Sequence, residues 1–169
     1  MYLNFINDGI LNGDTISNGH KIDYPGNYKF IYNKNEYNFI LKSNVIGITC
    51  DSVYTDQVMI TFDYGNATLN NDIYLSGSIV SKPGYYQFLL SGANGYVEEC
   101  NFTITSNMDG VSNNNVYDSD IEVILNGEGY LNNQFVNSPL HVKNDGHYIL
   151  KIRGENDYLE TYFFTLEEG

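Results

Sequence analysis

The sequence predicts an all-β chain built from tandem copies of one small module. The first observation is a repeat. A Leu-Asn pair is followed, fifteen residues after the Leu, by Gly-x-Tyr. The copies are Leu11-Asn12 with Gly26 and Tyr28, Leu69-Asn70 with Gly84 and Tyr86, and Leu131-Asn132 with Gly146 and Tyr148. A fixed period of this size marks an array of similar units. The second observation is period-two alternation, the mark of half-buried strands. The third is composition: 16 Tyr and 9 Phe in 169 residues, no Trp, and abundant Asn, Gly, Ser and Thr. That mix suits strands joined by tight turns.

The elements follow in order. After each Gly the alternating sets are Tyr28, Phe30, Tyr32; Tyr86, Phe88, Leu90; and Tyr148, Leu150, Ile152. The last strand of each copy alternates too: Tyr37, Phe39, Leu41; Cys100, Phe102, Ile104; Tyr162, Phe164, Leu166. Turn residues separate these strands, so each pair reads as a hairpin. The first hairpin is shorter: Tyr28 to Phe39 is 11, against 16 for Tyr86 to Phe102 and for Tyr148 to Phe164. Upstream, Val58, Ile60, Phe62 match Ile121, Val123, Leu125 and Met1, Leu3, Phe5. Pro25 and Pro83 precede the Gly at strand starts, where a missing N–H costs little.

The stretches between copies also repeat. Ser43-Asn44-Val45-Ile46-Gly47 matches Ser106-Asn107-Met108-Asp109-Gly110, and Val53-Tyr54 matches Val116-Tyr117. They read as the first strand of each module. The expected domains are therefore 1–42, a partial copy without that strand, then 43–105 and 106–169. No helix-period segment and no apolar run near 18 residues occurs, so no transmembrane helix is expected. The N-terminus lacks a signal-peptide pattern. An exported parent would carry its signal outside these residues.

Lys and Arg total 8 against 21 Asp and Glu, a net charge of −13. Such a surface repels phosphate backbones, so nucleic-acid binding is not expected. It also disfavours anionic membranes.

With the period assembled, the chain resembles the short bacterial immunoglobulin-like repeats of surface proteins from low-GC Gram-positive bacteria and their relatives. The second copy carries the resemblance best: Ala67-Thr68-Leu69-Asn70-Asn71, Ser76-Gly77, Pro83-Gly84-Tyr85-Tyr86-Gln87-Phe88 and Asn101-Phe102-Thr103-Ile104. The third has Ser138-Pro139 in place of Ser-Gly. The resemblance implies tandem immunoglobulin-like β-sandwiches, two complete and one N-terminally truncated. It further implies a non-catalytic extracellular spacer or adhesion segment. Its partners would be neighbouring repeats, or a host or cell-wall glycan or protein. No LPxTG-type anchor is present in the sequence.

Candidate chemistry is sparse. Cys50 and Cys100 could form a disulfide joining first and last strands, which an exported protein permits. Two reduced, partly buried thiols are the alternative. Cys100 shares parity with Phe102 and is expected to face the core. No CxxC or His-x-x-His spacing suggests zinc. His20, His141 and His147 do not recur at equivalent positions. Asp109 with Asp118 and Asp120, and Asp8 with Asp14, are weak calcium candidates; ordinary Asx turns are the alternative. Tyr85 and Tyr96, on outward parity, could stack on sugar rings. Asn12, Asn70 and Asn132 recur at a turn, where Asn tolerates left-handed backbone. No catalytic constellation or cofactor is expected. A carbohydrate-binding module or accessory domain of a secreted enzyme is the alternative function.

Overall fold

The computed structural model describes residues 1–168, all strand, turn and loop, with no helix among them. The first copy contains β1 (Tyr2–Leu3), β2 (Asp8–Leu11), β3 (Asp14–Ser17), β4 (His20–Lys21), β5 (Gly26–Tyr32) and β6 (Asn35–Leu41). The second contains β7 (Ser52–Tyr54), β8 (Val58–Met59), β9 (Asn66–Leu69), β10 (Asp72–Tyr74), β11 (Ile79–Val80), β12 (Gly84–Ser91) and β13 (Val97–Ile104). The third contains β14 (Asn115–Tyr117), β15 (Ile121–Val123), β16 (Glu128–Leu131), β17 (Gln134–Val136), β18 (Leu140–Val142), β19 (Gly146–Arg153) and β20 (Leu159–Leu166).

Contacts divide the chain into two compact units. One holds Met1–Ile48, Met59–Ser78 and Gln87–Cys100; the other holds Thr49–Val58, Ile79–Tyr86 and the chain from Asn101 onward. The division runs through the second copy, whose sheet has the order β10-β9-β12-β13-β7.

The third copy, in the second unit, shows the architecture most fully. A five-stranded sheet has the order β14-β20-β19-β16-β17, and a separate pair is β15-β18. Ile121, Val123, Leu140 and Val142 of the pair share one core with Leu150, Ile152, Phe164 and Leu166 of the sheet. Two sheets closing on one apolar layer make a sandwich. β20, β19 and β16 take the places of strands G, F and C of an immunoglobulin fold, β17 that of C′, and the pair those of B and E. A second hallmark agrees. Tyr28, Tyr86 and Tyr148 each donate the hydroxyl hydrogen to a carbonyl four residues upstream, of Tyr24, Lys82 and Asn144, at 2.6 Å. This is the tyrosine corner of that fold.

The segment read as one opening strand has two parts. Ile46 bridges Thr61, and Asp109 bridges Ile124, antiparallel. β7 then pairs in parallel with β13, and β14 with β20. The segment therefore serves both layers of its copy. Gly47 and Gly110 have φ of 111° and 124°, and a Cβ on either would overlap a carbonyl of the strand beneath, at Met59 and Glu122.

The first copy, in the first unit, has a sheet of order β3-β2-β5-β6 and the pair β1-β4. Its core is Leu11, Ile16, Ile22, Tyr28 and Phe30. β6 is an edge among the described residues. The alternation read along it is only partly realised: Tyr37 is 50% exposed, and Phe39 and Leu41 are half-buried. Their counterparts Phe102 and Phe164 are each 3% exposed, because β7 and β14 flank them.

Phe88 anchors its part of the core. It is 1% exposed, with Tyr74 edge-on at 5.9 Å and Phe62 tilted at 6.1 Å. Truncation would leave a cavity that aromatic neighbours fill poorly. Phe88→Ala should cost about 3–5 kcal/mol in chemical denaturation. A loss under about 1 kcal/mol would mean the site collapses without penalty.

Candidate functional site: a joint that recurs between copies

The most elaborate polar arrangement occurs twice, where one copy meets the next. The first instance lies within the first compact unit and the second within the second. In the first, Ala93 donates its N–H to the Pro25 carbonyl at 2.8 Å, and Asn27 donates to the Ala93 carbonyl at 3.0 Å. In the second, Glu155 donates to the Pro83 carbonyl at 2.8 Å, and Tyr85 to the Glu155 carbonyl at 3.1 Å. Each is a one-residue parallel bridge, Gly26 with Ala93 and Gly84 with Glu155.

Proline and glycine are needed here for separate reasons. Proline fixes φ at the start of the strand and brings no competing donor. The glycines permit contact between backbones. A Cβ on Gly92 would overlap the Pro25 carbonyl oxygen, and one on Gly154 that of Pro83. A Cβ on Gly26 or Gly84 would meet Ala93 or Glu155. Ala93 also packs against the core of the first copy.

Side chains finish each joint. The hydroxyls of Ser43 and Ser106 donate to the carboxylates of Glu98 and Glu160. Tyr158 donates to the other Glu160 oxygen at 2.6 Å, and Ser43 donates its N–H to the Tyr96 hydroxyl at 3.4 Å. Lys82 pairs with Glu155 at 3.1 Å and Glu128 at 3.8 Å. Asn27 donates to the Asn94 carbonyl at 3.2 Å, and Asn126 to the Ser81 carbonyl at 2.8 Å.

The first copy's hairpin is shorter by five residues (16−11). Aligned on Tyr28/Tyr86 and Phe39/Phe102, the residues it lacks match Gly92–Tyr96, which form the joint in the second copy. The third copy has Asp145-Gly146 where the others have Pro-Gly.

The structure corrects one sequence expectation outright. Tyr96 is 6% exposed and cannot stack on a sugar. It lies on the parity of Cys100, Phe102 and Ile104, the core-facing set, so the outward reading does not hold, and a Cβ on Gly92 would come 3.0 Å from its ring. The clue was present in the sequence. Pro-Gly of one copy is followed in the next copy by a longer hairpin with Gly-x-Asn. Tyr85 is 47% exposed, with the Tyr158 ring 5.3 Å away and edge-on.

Other candidates are placed as follows. Cys50 and Cys100 are both disulfide-bonded, and neither is a free thiol. Cys50 is exposed and Cys100 only half-buried, so Cys100 is not the core residue that parity suggested. Asp109, Asp118 and Asp120 are exposed, and among the described residues no group of three His, Cys, Asp or Glu is placed to hold a metal. Asp8 and Asp14 stand at opposite ends of the β2-β3 hairpin, opposite Ser17 and Leu11. His20 pairs in register with Leu3. His141 faces Glu122 at 3.7 Å, and His147 contacts the Thr165 hydroxyl at 2.9 Å. A shallow groove on the third copy is lined by Asn132, His147, Ile149 and Phe163.

No protein-family model matches the chain, and no curated protein matches it. Among solved structures, a surface glycan-binding protein from the mixed-linkage glucan utilization locus of Bacteroides ovatus, in complex with a heptasaccharide, is similar at 11% identity. The match covers 95% of this chain and 60% of that one, with TM-score 0.26. The chain thus spans less than two thirds of that protein's length. The I9–I11 tandem of titin matches at 11% identity over 91% of this chain and 77% of its own, TM-score 0.34. Extracellular domains 3–5 of Drosophila OTK match at 10% identity over 96% and 84%, TM-score 0.26. The fold assignment rests on strand order and the tyrosine corners.

Two outcomes follow from the joint. Gly154 has no left-handed φ, so Gly154→Val acts through steric overlap, foremost with the Pro83 carbonyl and also with the Tyr158 ring. Amide exchange at Tyr85 and Glu155 should accelerate about tenfold or more, while Leu150 and Phe164 keep their protection. Unchanged exchange at Tyr85 and Glu155 would mean the bridge does not hold the copies together.

The second outcome concerns alkali. Burial, then the nearby Glu155 charge, pushes the Tyr86 phenol up to about 12. Burial, then the Glu160 hydrogen bond, raises Tyr158, and burial raises Tyr96. These phenols keep their protons in the folded chain at pH values where the unfolded chain has released them. Stability should be intact below about pH 10 and fall as pH rises from there through about 12. A denaturation midpoint flat across that window would contradict the burial of these rings.

Proposed function

We propose that this chain is a non-catalytic extracellular spacer or adhesion segment of a bacterial surface protein. Its copies, 1–42, 43–105 and 106–169, would act as successive links, related to the short bacterial immunoglobulin-like repeats. The observation that carries this reading is the recurrent joint. The residues that recur between copies serve turns, cores and the joint; the polar surface between them varies. A joint of paired backbone hydrogen bonds and close glycine contacts limits bending where copies meet, which suits a spacer. The disulfide-bonded Cys50 and Cys100 support an oxidising compartment such as the cell exterior. The net charge of −13 supports solubility and argues against nucleic acid as a partner.

Carbohydrate binding is the second reading. It is favoured by the groove beside Asn132 and His147, where Ile149 and Phe163 are exposed. Tyr85 is the remaining sequence candidate for stacking.

A panel of soluble cell-wall and host glycans tests both readings. The spacer reading expects no product release, and no glycan retention that changes more than about twofold on Tyr85→Ala or Phe163→Ser. Micromolar glycan affinity lost in either variant would replace the spacer by a carbohydrate-binding module. Turnover of any glycan would overturn the non-catalytic reading.

A further inference from the structure

The second and third copies fasten the same strand by different chemistry. In each, a three-residue strand lies parallel to the last strand at one register. Ser52, Val53, Tyr54 face Phe102, Thr103, Ile104, and Asn115, Val116, Tyr117 face Phe164, Thr165, Leu166. The flanking bonds correspond as well. Asp51 donates to the Asn101 carbonyl at 2.7 Å, and Asn114 to the Phe163 carbonyl at 2.5 Å. Thr105 and Glu167 donate to the Tyr54 and Tyr117 carbonyls, both at 2.9 Å. One residue earlier the two copies part. Asn113 accepts the Phe163 N–H on its side-chain oxygen at 2.8 Å. The residue in its place in the second copy is Cys50. The chain has two cysteines and both are disulfide-bonded, so Cys50 is bonded to Cys100. A hydrogen bond in one copy is a covalent bond in the other.

Packing does not account for that bond, since Cys50 is exposed and Cys100 only half-buried. Its place along the chain does. The second copy is entered from the first and left for the third, so tension along the chain passes through it. β7 and β13 run in the same direction. Tension draws β7 back toward its N-terminal end and β13 on toward its C-terminal end. The two slide past each other, and their hydrogen bonds are loaded together. In the third copy, which has no cysteine, β14 and β20 meet this shear with hydrogen bonds alone. In the second, a load that strips residues 43–49, with the Ile46 to Thr61 bridge, comes to rest on Cys50. It crosses to Cys100 and leaves along residues 101–105. Residues 51–99 lie off its path.

We propose that the bond between Cys50 and Cys100 is a length lock. Under tension it keeps residues 51–99 from extending, while the first and third copies, which lack cysteine, are free to extend. The chain is then a tether with one link of fixed length between two extensible ones. The source of the tension rests on the spacer reading; the lock is a property of the chain itself.

Single-molecule stretching of the whole 169-residue chain, held by its two ends, tests the lock. Fully extended, the oxidised chain should fall short of the reduced chain by about 160 Å, the reach of the 49 residues from 51 to 99. A dithiol added while load is held on the oxidised chain should release one further step of that size. The reagent's thiolate attacks one sulfur, the other cysteine leaves as a thiolate, and the reagent's second thiol completes the exchange. The double variant Cys50→Ser, Cys100→Ser should reach the longer extension without reductant. The step on reduction is read on the native chain, so it decides the matter even where the double variant is unstable. Equal extension of oxidised and reduced chains, or no step when the dithiol is added under load, would overturn the proposal. Glycan binding together with the step would replace the spacer reading and leave the lock standing.

Discussion

In each copy one asparagine side chain ties together two strands seventeen residues apart. The side-chain oxygens of Asn12, Asn70 and Asn132 accept the N–H of Lys29, Gln87 and Ile149, each at 2.8 Å. Their own N–H groups donate to the carbonyls of the same three residues, at 2.9–3.0 Å. The asparagines have φ of 47°, 48° and 46°. Each is followed by Gly13, Asn71 or Asn133, also at positive φ, so the loop is a two-residue hairpin turn that matches strand twist. One residue type meets two demands at once: a left-handed backbone and a side chain that satisfies a strand amide. The residue it holds immediately follows the corner tyrosine. The clamp therefore sets the register of the long hairpin strand, and in the first two copies Pro-Gly stands at the start of that strand. The joint begins there.

This explains how much was legible. The all-β class and the long strands came through because turn and core residues recur. The alternating sets Tyr28, Phe30, Tyr32; Tyr86, Phe88, Leu90; and Cys100, Phe102, Ile104 lie within β5, β12 and β13. The short strands were less visible. Alternation through Val58, Ile60 and Phe62 suggested a longer strand than β8, which ends at Met59. Ile60 is nonetheless fully buried, because the Tyr74 hydroxyl takes its N–H at 3.1 Å in place of a ladder. Apolar spacing reports burial, and here burial outlasts the hydrogen-bonded strand.

The joint was not legible as a site. Its parts were visible separately, as a proline tolerated at a strand start and as a hairpin turn. The outward reading of Tyr96 fails because Tyr96 shares the parity of Cys100, Phe102 and Ile104 and is 6% exposed, one residue before β13 begins. The short first hairpin was noted as a length difference. Its meaning, loss of the segment that docks on a preceding copy, required the backbone contacts of Gly92 and Ala93.

Replacing Asn132 with glycine separates the two demands on the clamp. Glycine keeps the left-handed turn and removes the hydrogen bonds to His147 and Ile149. If the clamp sets the register, Asn132→Gly should lower stability by about 1–2 kcal/mol and speed amide exchange at Ile149. Asn132→Asp, which retains the acceptor, should recover part of that loss. Stability and Ile149 exchange unchanged in Asn132→Gly would show that the asparagine recurs for its backbone alone, and would contradict the account.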